Sequence, residues 1–356
     1  MNKKRLYIDF HVIQTVPPSC VNRDDTGRPK TAVYGGVNRA RVSSQSWKHA
    51  IRNMFTDIFN DEQLGFRTMH ATDLIAKHLI QNGIEKGKAD KMAVEALSNA
   101  GISTKTDKKK ENATTKALFF ISRVQIKKLA ELVIAGVKDK KEYKKVLQNY
   151  QSIDIALFGR MVADDVDLNV DASSQVAHSI STHAVQSEYD YFTAVDDYST
   201  ADNAGAGHLG TTEFNSATLY RYATVNVAEL FQTIGTDTAD AVKGFAEAFI
   251  CSMPTGKQNS YANRTLPDLV YVTIRTNQPV NLSGAFEKPV RSKEGYTEES
   301  VKKLFAHAQK VYDNYCETPV HSFVIGSDSV LGAEKVNLPA LLEQLHDYIS
   351  DFDEVV

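Results

Sequence analysis

Apolar residues change their spacing twice along this chain, and that change limits the folds open to it. Leu6, Ile8, Phe10 and Val12 alternate within residues 5–14, the pattern of a strand with one buried face. From about residue 60 to 150 the spacing becomes helical and lysines abound, with candidate helices over 69–82, 88–100, 113–135 and 139–150. After 152 the alternation returns in Q-V-A-H-S-I-S-T-H-A-V (175–185) and E-F-N-S-A-T-L-Y-R-Y-A-T-V-N-V (213–227). A helix over 239–251, a strand over 268–276, a polar loop over 281–296 and helices over about 297–314 and 337–350 complete the pattern. Residues 15–38 read as a long loop, and K-T-D-K-K-K (105–110) as an exposed loop of mutually repelling lysines. The sum is α+β: a sheet with helices on one face, interrupted by an inserted all-α module. No internal repeat is visible.

One stretch within this frame is equipped to hold an anion. Residues 30–52 contain Gly35-Gly36, Arg39 and Arg41, then Ser43-Ser44-Gln45 leading into an amphipathic helix. Trp47, Ala50, Ile51, Met54, Phe55 and Ile58 share one helical face, while Lys48 and Arg52, four apart, share a second. Ser43 or Ser44 is a natural N-cap. Free backbone N–H groups, hydroxyls, an amide and cations thus converge at one helix start, which suits phosphate. The plainer alternative is a capped surface helix with solvated charges, and the upstream glycines and arginines weigh against it.

Charge distribution supports a polyanionic partner. The formal net charge is −3, with hydrophobic residues at 42% and charged residues at 24%, ordinary for a soluble globular protein. Residues 1–56 nevertheless carry ten Lys/Arg against three Asp/Glu, and 101–150 carry thirteen against five. Residues 154–202 carry one against ten. Such blocks could bind nucleic acid on one surface and repel it from another, or join copies head to tail. Cys20, Cys251 and Cys316 are far apart and form no CxxC. The opening M-N-K-K-R-L-Y-I-D-F is too short in apolar residues for a secretory signal, and no later run reaches membrane-spanning length, so a cytoplasmic location is expected.

Catalytic motifs are scarce. G-A-G-H-L-G (205–210) matches the dinucleotide fingerprint in letters only, since an acidic loop precedes it and an alternating strand follows. His178 and His183 have odd spacing, which places them on opposite faces of a strand and prevents shared metal binding. His178 is expected in a sheet face or in a local hydrogen bond. Asp164, Asp165, Asp167 and Asp171 lack the order of a calcium loop. Asp24 and Asp25 could act as general acid or base, with an internal ion pair to Arg23 as the simpler reading. Tyr191 and Phe192, expected at a hairpin tip, could wedge between bases.

Several blocks occur in an order that resembles a known family. They are P-S-C-V-N-R-D-D (18–25), Y-G-G-V-N-R-A-R-V-S-S-Q-S-W-K (34–48), D-I-A-L-F-G-R-M (154–161), A-H-S-I-S-T-H (177–183) and Y-F-T-A-V-D-D (191–197). H-L-G-T-T-E-F-N-S-A-T-L-Y-R-Y-A (208–223), T-G-K-Q-N-S-Y-A (255–262) and A-F-E-K-P-V (285–290) complete the set. The chain resembles the CasC family, the guide-binding backbone subunit of the type I-E CRISPR complex Cascade. The resemblance implies an RRM-like (ferredoxin-like) palm formed by residues 1–58, 153–187 and 222–356, the last with C-terminal helices. It also implies an inserted all-α fingers domain (59–152) and a β-hairpin thumb (188–221). Copies would stack along the CRISPR RNA (crRNA), kink it at every sixth nucleotide, and leave the other bases free to pair with target DNA. Further partners would be the large, small, 5′-handle-binding and crRNA-processing subunits, with no membrane, no cofactor and no catalytic role.

By motif position, Lys30, Ser43, Ser44, Gln45, Lys48 and Arg52 would bind guide phosphates, supported by Arg23 and Arg41. Phe192 and Thr193 would lie against the kinked nucleotide. Val166 is the nearest match to an apolar side chain that the family places soon after G-R-M. Lys257 and Gln258 are weaker RNA-binding candidates that could instead cap a helix. The main alternative is an RNA-cleaving backbone, as in related type III complexes, using Asp24 or Asp25. A generic enzyme with a phosphate-bearing small substrate is a third reading.

Overall fold

The computed structural model describes residues 5–105, 113–194, 197–198, 208–328 and 330–353. Strand β1 (Tyr7–Ser19) continues well past the alternating stretch, and the expected loop after it contains a hairpin, β2 (Thr31–Tyr34) and β3 (Val37–Val42). Gly35 and Gly36 are its two-residue turn, at φ +61° and +77°. Two successive positive φ values define the turn type whose twist matches paired strands. A side chain at Gly35 would also collide with the Glu287 carbonyl, 1.7 Å from the position of a Cβ. The glycine pair therefore serves the hairpin, not a close approach to phosphate. Helix α1 (Ser44–Ile58) follows, and Trp47, Ala50, Ile51 and Phe55 on it are buried.

The next unit has its own core. It comprises β4 (Gly65–Thr68), α2 (Ala71–Gln81), α3 (Lys86–Asn99), β5 (Thr104–Lys105), β6 (Thr114–Thr115), β7 (Phe119–Ser122), α4 (Arg123–Ile134) and α5 (Lys140–Gln148). Ile75, Leu79, Leu97, Ile121, Leu129, Tyr143 and Leu147 fill its interior. It is not all-α, because β4 pairs with β7 and β5 with β6. The helix expected from 113 starts only at Arg123, where Ser122 and Gln125 form a capping box. The apolar run Phe119–Ile121 before it is strand. Residues 106–110 of the lysine loop lie outside the described residues.

The chain then returns to the main sheet through α6 (Ile153–Phe158), β8 (Ser174–Val176) and β9 (Ser179–Ser181). The expected single strand over 175–185 is thus broken at Ala177-His178. Strand β10 (Glu188–Ala194) pairs with the start of β11 (His208–Asn226). Further along, β11 enters the sheet beside β1, in antiparallel register from Tyr7↔Asn226 to Val16↔Ala217. Helices α7 (Val227–Ile234), α8 (Thr238–Cys251) and α9 (Gln258–Tyr261), strand β12 (Leu269–Arg275), α10 (Thr297–Asn314), β13 (His321–Ile325), β14 (Glu334–Lys335) and α11 (Leu338–Asp353) complete the order. The sheet runs β14-β13-β12-β1-β11-β9-β3-β2, with β8 and β10 also paired to β11. All pairs are antiparallel except β13–β14.

Both faces of this sheet are covered, which corrects the one-face expectation. On one face Ile8, Phe10, Val12, Val225 and Ile274 pack against α1, α8 and α11, with the Phe10 ring 5.8 Å from Phe245 and 5.9 Å from Phe249. On the other, Ile13, Tyr220, Tyr222, Tyr271 and Val324 pack against Leu304, Phe305, Ala308 and Tyr312 of α10. The polar residues of β1 on that face mimic a solvated side in the sequence. Asp9 accepts hydrogen bonds from the Tyr222 hydroxyl (2.9 Å) and the Val280 N–H (2.8 Å), and His11 Nδ1 bonds the Tyr220 hydroxyl at 2.9 Å. They are buried because each has a partner. Among the described residues, no helix is long and apolar enough to cross a membrane.

Candidate nucleic-acid interface

The start of α1 is the centre of the site, and most of its donors are already used. Ser43 is the N-cap: its hydroxyl accepts from the Ser46 N–H at 3.3 Å, and its own N–H donates to Asn22 Oδ1 at 2.9 Å. It is buried, so it does not face a ligand. The Ser44 N–H donates to His178 Nδ1 at 3.3 Å. The Trp47 N–H returns to the Ser43 carbonyl. In this first turn only the Gln45 N–H lacks a partner among the described residues. The Gln45 and Ser44 side chains remain outside the core, in contact with each other at 3.4 Å.

The arginines divide into structural and presenting residues. Arg39 is fully buried and gives its donors to the carbonyls of Tyr34, Ser181 and Phe286 at 2.8–3.1 Å. Arg41 is half-buried, reaching the Thr31 carbonyl and His178 Nδ1. Arg52 donates from Nε and Nη2 to Asp154 Oδ2 (3.3 and 3.1 Å) and stacks over Phe120 at 4.5 Å. It holds the buried Asp154 carboxylate, and so pins α1 to α6. Burial nonetheless raises the Asp154 pKa against the pull of Ser152 and Arg52. Lys48 has no such partner. Its ammonium lies 5.8 Å from the Phe158 ring, and burial lowers its pKa.

Two grooves flank α1. One, of 490 Å³, separates α1 from the helical unit and is lined by Gln45, Lys48, Arg52, Arg67, Arg160 and Met161, with Asp171 the one carboxylate among its lining residues. Arg160 in its wall is buried and bonded to the Leu168, Phe120 and Leu147 carbonyls; burial lowers its pKa to about 10. The other, of 690 Å³, is lined by Arg23, Arg264 and Gln258 but also by Asp24, Asp25 and Asp57. His49 lines both. The groove beside the helical unit is therefore the cationic one.

Lys30 and Arg41 line a narrow cleft with Asn22 and Asn215. Asn22 is the hub of this region: its carbonyl accepts from the Lys30 N–H at 2.8 Å and its side chain from the Ser43 N–H. It was legible only as part of N-R-D-D. Asp24 makes no ion pair with Arg23. Its Oδ1 instead accepts from the Thr26 N–H and hydroxyl and the Arg28 N–H at 2.8–2.9 Å, and the Thr26 hydroxyl leads in lowering its pKa. This is a turn-forming carboxylate. His183 is buried and stacked on Tyr296, with Nε2 accepting from the Thr218 N–H. Among the described residues, no three His, Cys, Asp or Glu side chains gather to hold a metal.

The remaining candidates lie apart. Phe192 and Thr193 sit on the β10–β11 ribbon, where every residue of β10 is exposed. They are on its shaft rather than at a tip, because pairing continues to Ala194↔His208. The Phe192 ring covers Gly210, where an added Cβ would meet it at 2.4 Å. Residues 205–207 of the glycine-rich motif lie outside the described residues, and its remainder is strand. Lys257, with φ +46°, donates to Thr212 Oγ1 at 3.1 Å at the base of the ribbon. Gln258 opens α9. Val166 is 74% exposed on a short turn held by Lys144 to Asp165 and Asp167, whereas Met161, 86% exposed, and Leu118, 55% exposed, line the cationic groove.

The fold is thus a large, mainly antiparallel sheet covered by helices on both faces, with a groove lined by Lys48, Arg52 and Arg67 beside α1. The CT1975-like protein family (Cas_CT1975) matches residues 8–349, and the chain belongs to that family. It is similar to a chain of a solved structure described as "CRISPR RNA-guided surveillance complex, pre-nicking", at 32% identity and a TM-score of 0.86. The alignment covers 96% of this chain and 100% of that one. A chain of a "CRISPR RNA-guided surveillance complex" is 28% identical with a TM-score of 0.74, covering 96% of this chain and 99% of that one. No curated protein matches.

Proposed function

We propose that this protein is the guide-binding backbone subunit of a type I-E Cascade complex, a CasC-type protein that coats the crRNA spacer without reading its sequence. The observation that carries this reading is the groove between α1 and the helical unit, which Gln45, Lys48 and Arg67 line with little opposing acid. Donors of this kind position a sugar–phosphate backbone and do not read base edges. The covered sheet supports the same view, since bases cannot stack on it as on an open RNA-binding sheet. In this reading the main sheet is an RRM-like palm, the helical unit the fingers, and the exposed ribbon a thumb. Copies stack in a helical filament, and Phe192 kinks the guide at every sixth nucleotide so that the stacked bases pair with target DNA. The other Cascade subunits complete the complex in the cytoplasm.

The test is co-expression with a CRISPR array. Lys48→Glu is expected to weaken RNA retention alike for unrelated spacers. It should also flatten the salt dependence of binding by roughly 0.7 for each phosphate that is no longer neutralised. Unchanged retention and slope would refute the groove as the phosphate site. We further propose that the protein does not cut RNA, since Asp24 holds its own turn through Oδ1. Complementary RNA with Mg²⁺ should stay whole; periodic products that disappear in Asp24→Ala would show the cleaving alternative, and the same assay on Asp25→Ala covers the second candidate.

A further inference from the structure

His178 occupies the break between β8 and β9, far in sequence from the groups it meets. Its Nδ1 is 3.3 Å from the Ser44 N–H at the start of α1 and 3.2 Å from Arg41 Nη1 on β3. Both of these are donors, so Nδ1 must be the acceptor and the proton of the neutral ring belongs to Nε2. Nε2 lies on the opposite edge of the imidazole and has no partner among the described residues. The side chain is exposed, and Arg41 and Lys30 are close enough to act on its charge. We infer that His178 donates its Nε2–H to a phosphate oxygen of the bound RNA, beside Arg41 and Lys30. This rests on the RNA-binding reading and adds a residue of a different kind to it. Because Nδ1 already accepts from two donors, the ring is a neutral donor and not another cation; burial, then Arg41 and Lys30, lower its pKa in the same sense.

That distinction is measurable. Anisotropy of a fluorescein-labelled oligouridine is followed against salt for the wild-type chain, His178→Ala, His178→Asn and Arg41→Ala. Asparagine keeps an acceptor near the Nδ1 position but has no donor at the far edge. Both His178 variants are expected to bind about tenfold more weakly, the loss of one hydrogen bond to a charged group. Their salt slopes should match wild type, because a neutral donor displaces no counterion, whereas Arg41→Ala should flatten the slope by roughly 0.7. Wild-type affinity in His178→Asn would reduce His178 to a positioning residue and overturn the inference. So would a flattened slope in His178→Ala, or affinity equal to wild type. Failure of the wild-type chain to bind the probe would instead sink the RNA-binding reading itself.

Discussion

Lys48 and Arg52 lie one helical turn apart on α1, and the structure gives them different tasks. Arg52 neutralises Asp154, whose side chain is 3% exposed, so Arg52→Ala strands a buried carboxylate. Breaking a buried pair costs about 3–5 kcal/mol, and we expect the low end because Arg52 itself stays partly exposed. Lys48→Ala should change stability by less than about 1 kcal/mol. Urea unfolding of the two variants separates the roles; equal stabilities would refute the division. Asp9 offers a second residue-scale test. Burial raises its pKa from 3.8 to about 6. Folding therefore favours its protonated form, so the stability it contributes is full below 3.8 and is lost as pH rises through about 6. Asp9→Asn should flatten the fall in urea midpoint across that window, and an unchanged slope would show that Asp9 does not titrate there. Residue types carried part of the site: the cations of residues 23–52 were legible as a cluster. What was not legible was which of them the fold consumes, since the partners of Arg39, Ser43 and Arg52 are carbonyls, an amide and a carboxylate, most of them distant in sequence.

At the scale of elements, periodicity located most helices and strands because their apolar faces are continuous. Helix α10 is the plainest case, and its expected and observed limits agree at Thr297–Asn314. Errors arose where two elements share one apolar run. Phe119–Ile121 reads on into α4, and only the Ser122–Gln125 capping box marks the join. The β2–β3 hairpin was hidden because V-Y-G-G-V-N reads as loop unless the glycine pair is taken as its turn. Among the anchors of α1, Trp47 packs under the buried Arg221 guanidinium at 3.9 Å and donates to Ser179 Oγ at 2.9 Å. The ribbon is the opposite case, exposed on all of β10 and held at its base by Arg28–Glu213 and Lys257–Thr212. Phe192→Ala is therefore expected to leave folding and assembly intact while altering the periodic protection of bound RNA. A chemical footprint identical to wild type would remove Phe192 from the kink.

At the scale of the molecule, the sheet and the helical unit meet at α1, and the ribbon is held at Arg28 and Lys257. The first expectation of a sheet with one open face failed for a physical reason. Asp9 and His11 look solvated in sequence, yet both hydrogen-bond to tyrosine hydroxyls beneath α10. With that face closed, the more cationic of the two grooves beside α1 is the one between α1 and the helical unit. The order of the sequence blocks pointed to a guide-binding subunit, and the likeness to surveillance-complex chains over nearly the whole length agrees with it. The central question is where RNA lies. Electron cryo-microscopy of the protein co-expressed with a CRISPR array should show successive copies on one RNA. Its phosphates should pass Gln45 and Lys48, with a displaced base beside Phe192 at every sixth position. RNA density running elsewhere, with the groove beside Lys48 empty, would contradict the proposed role.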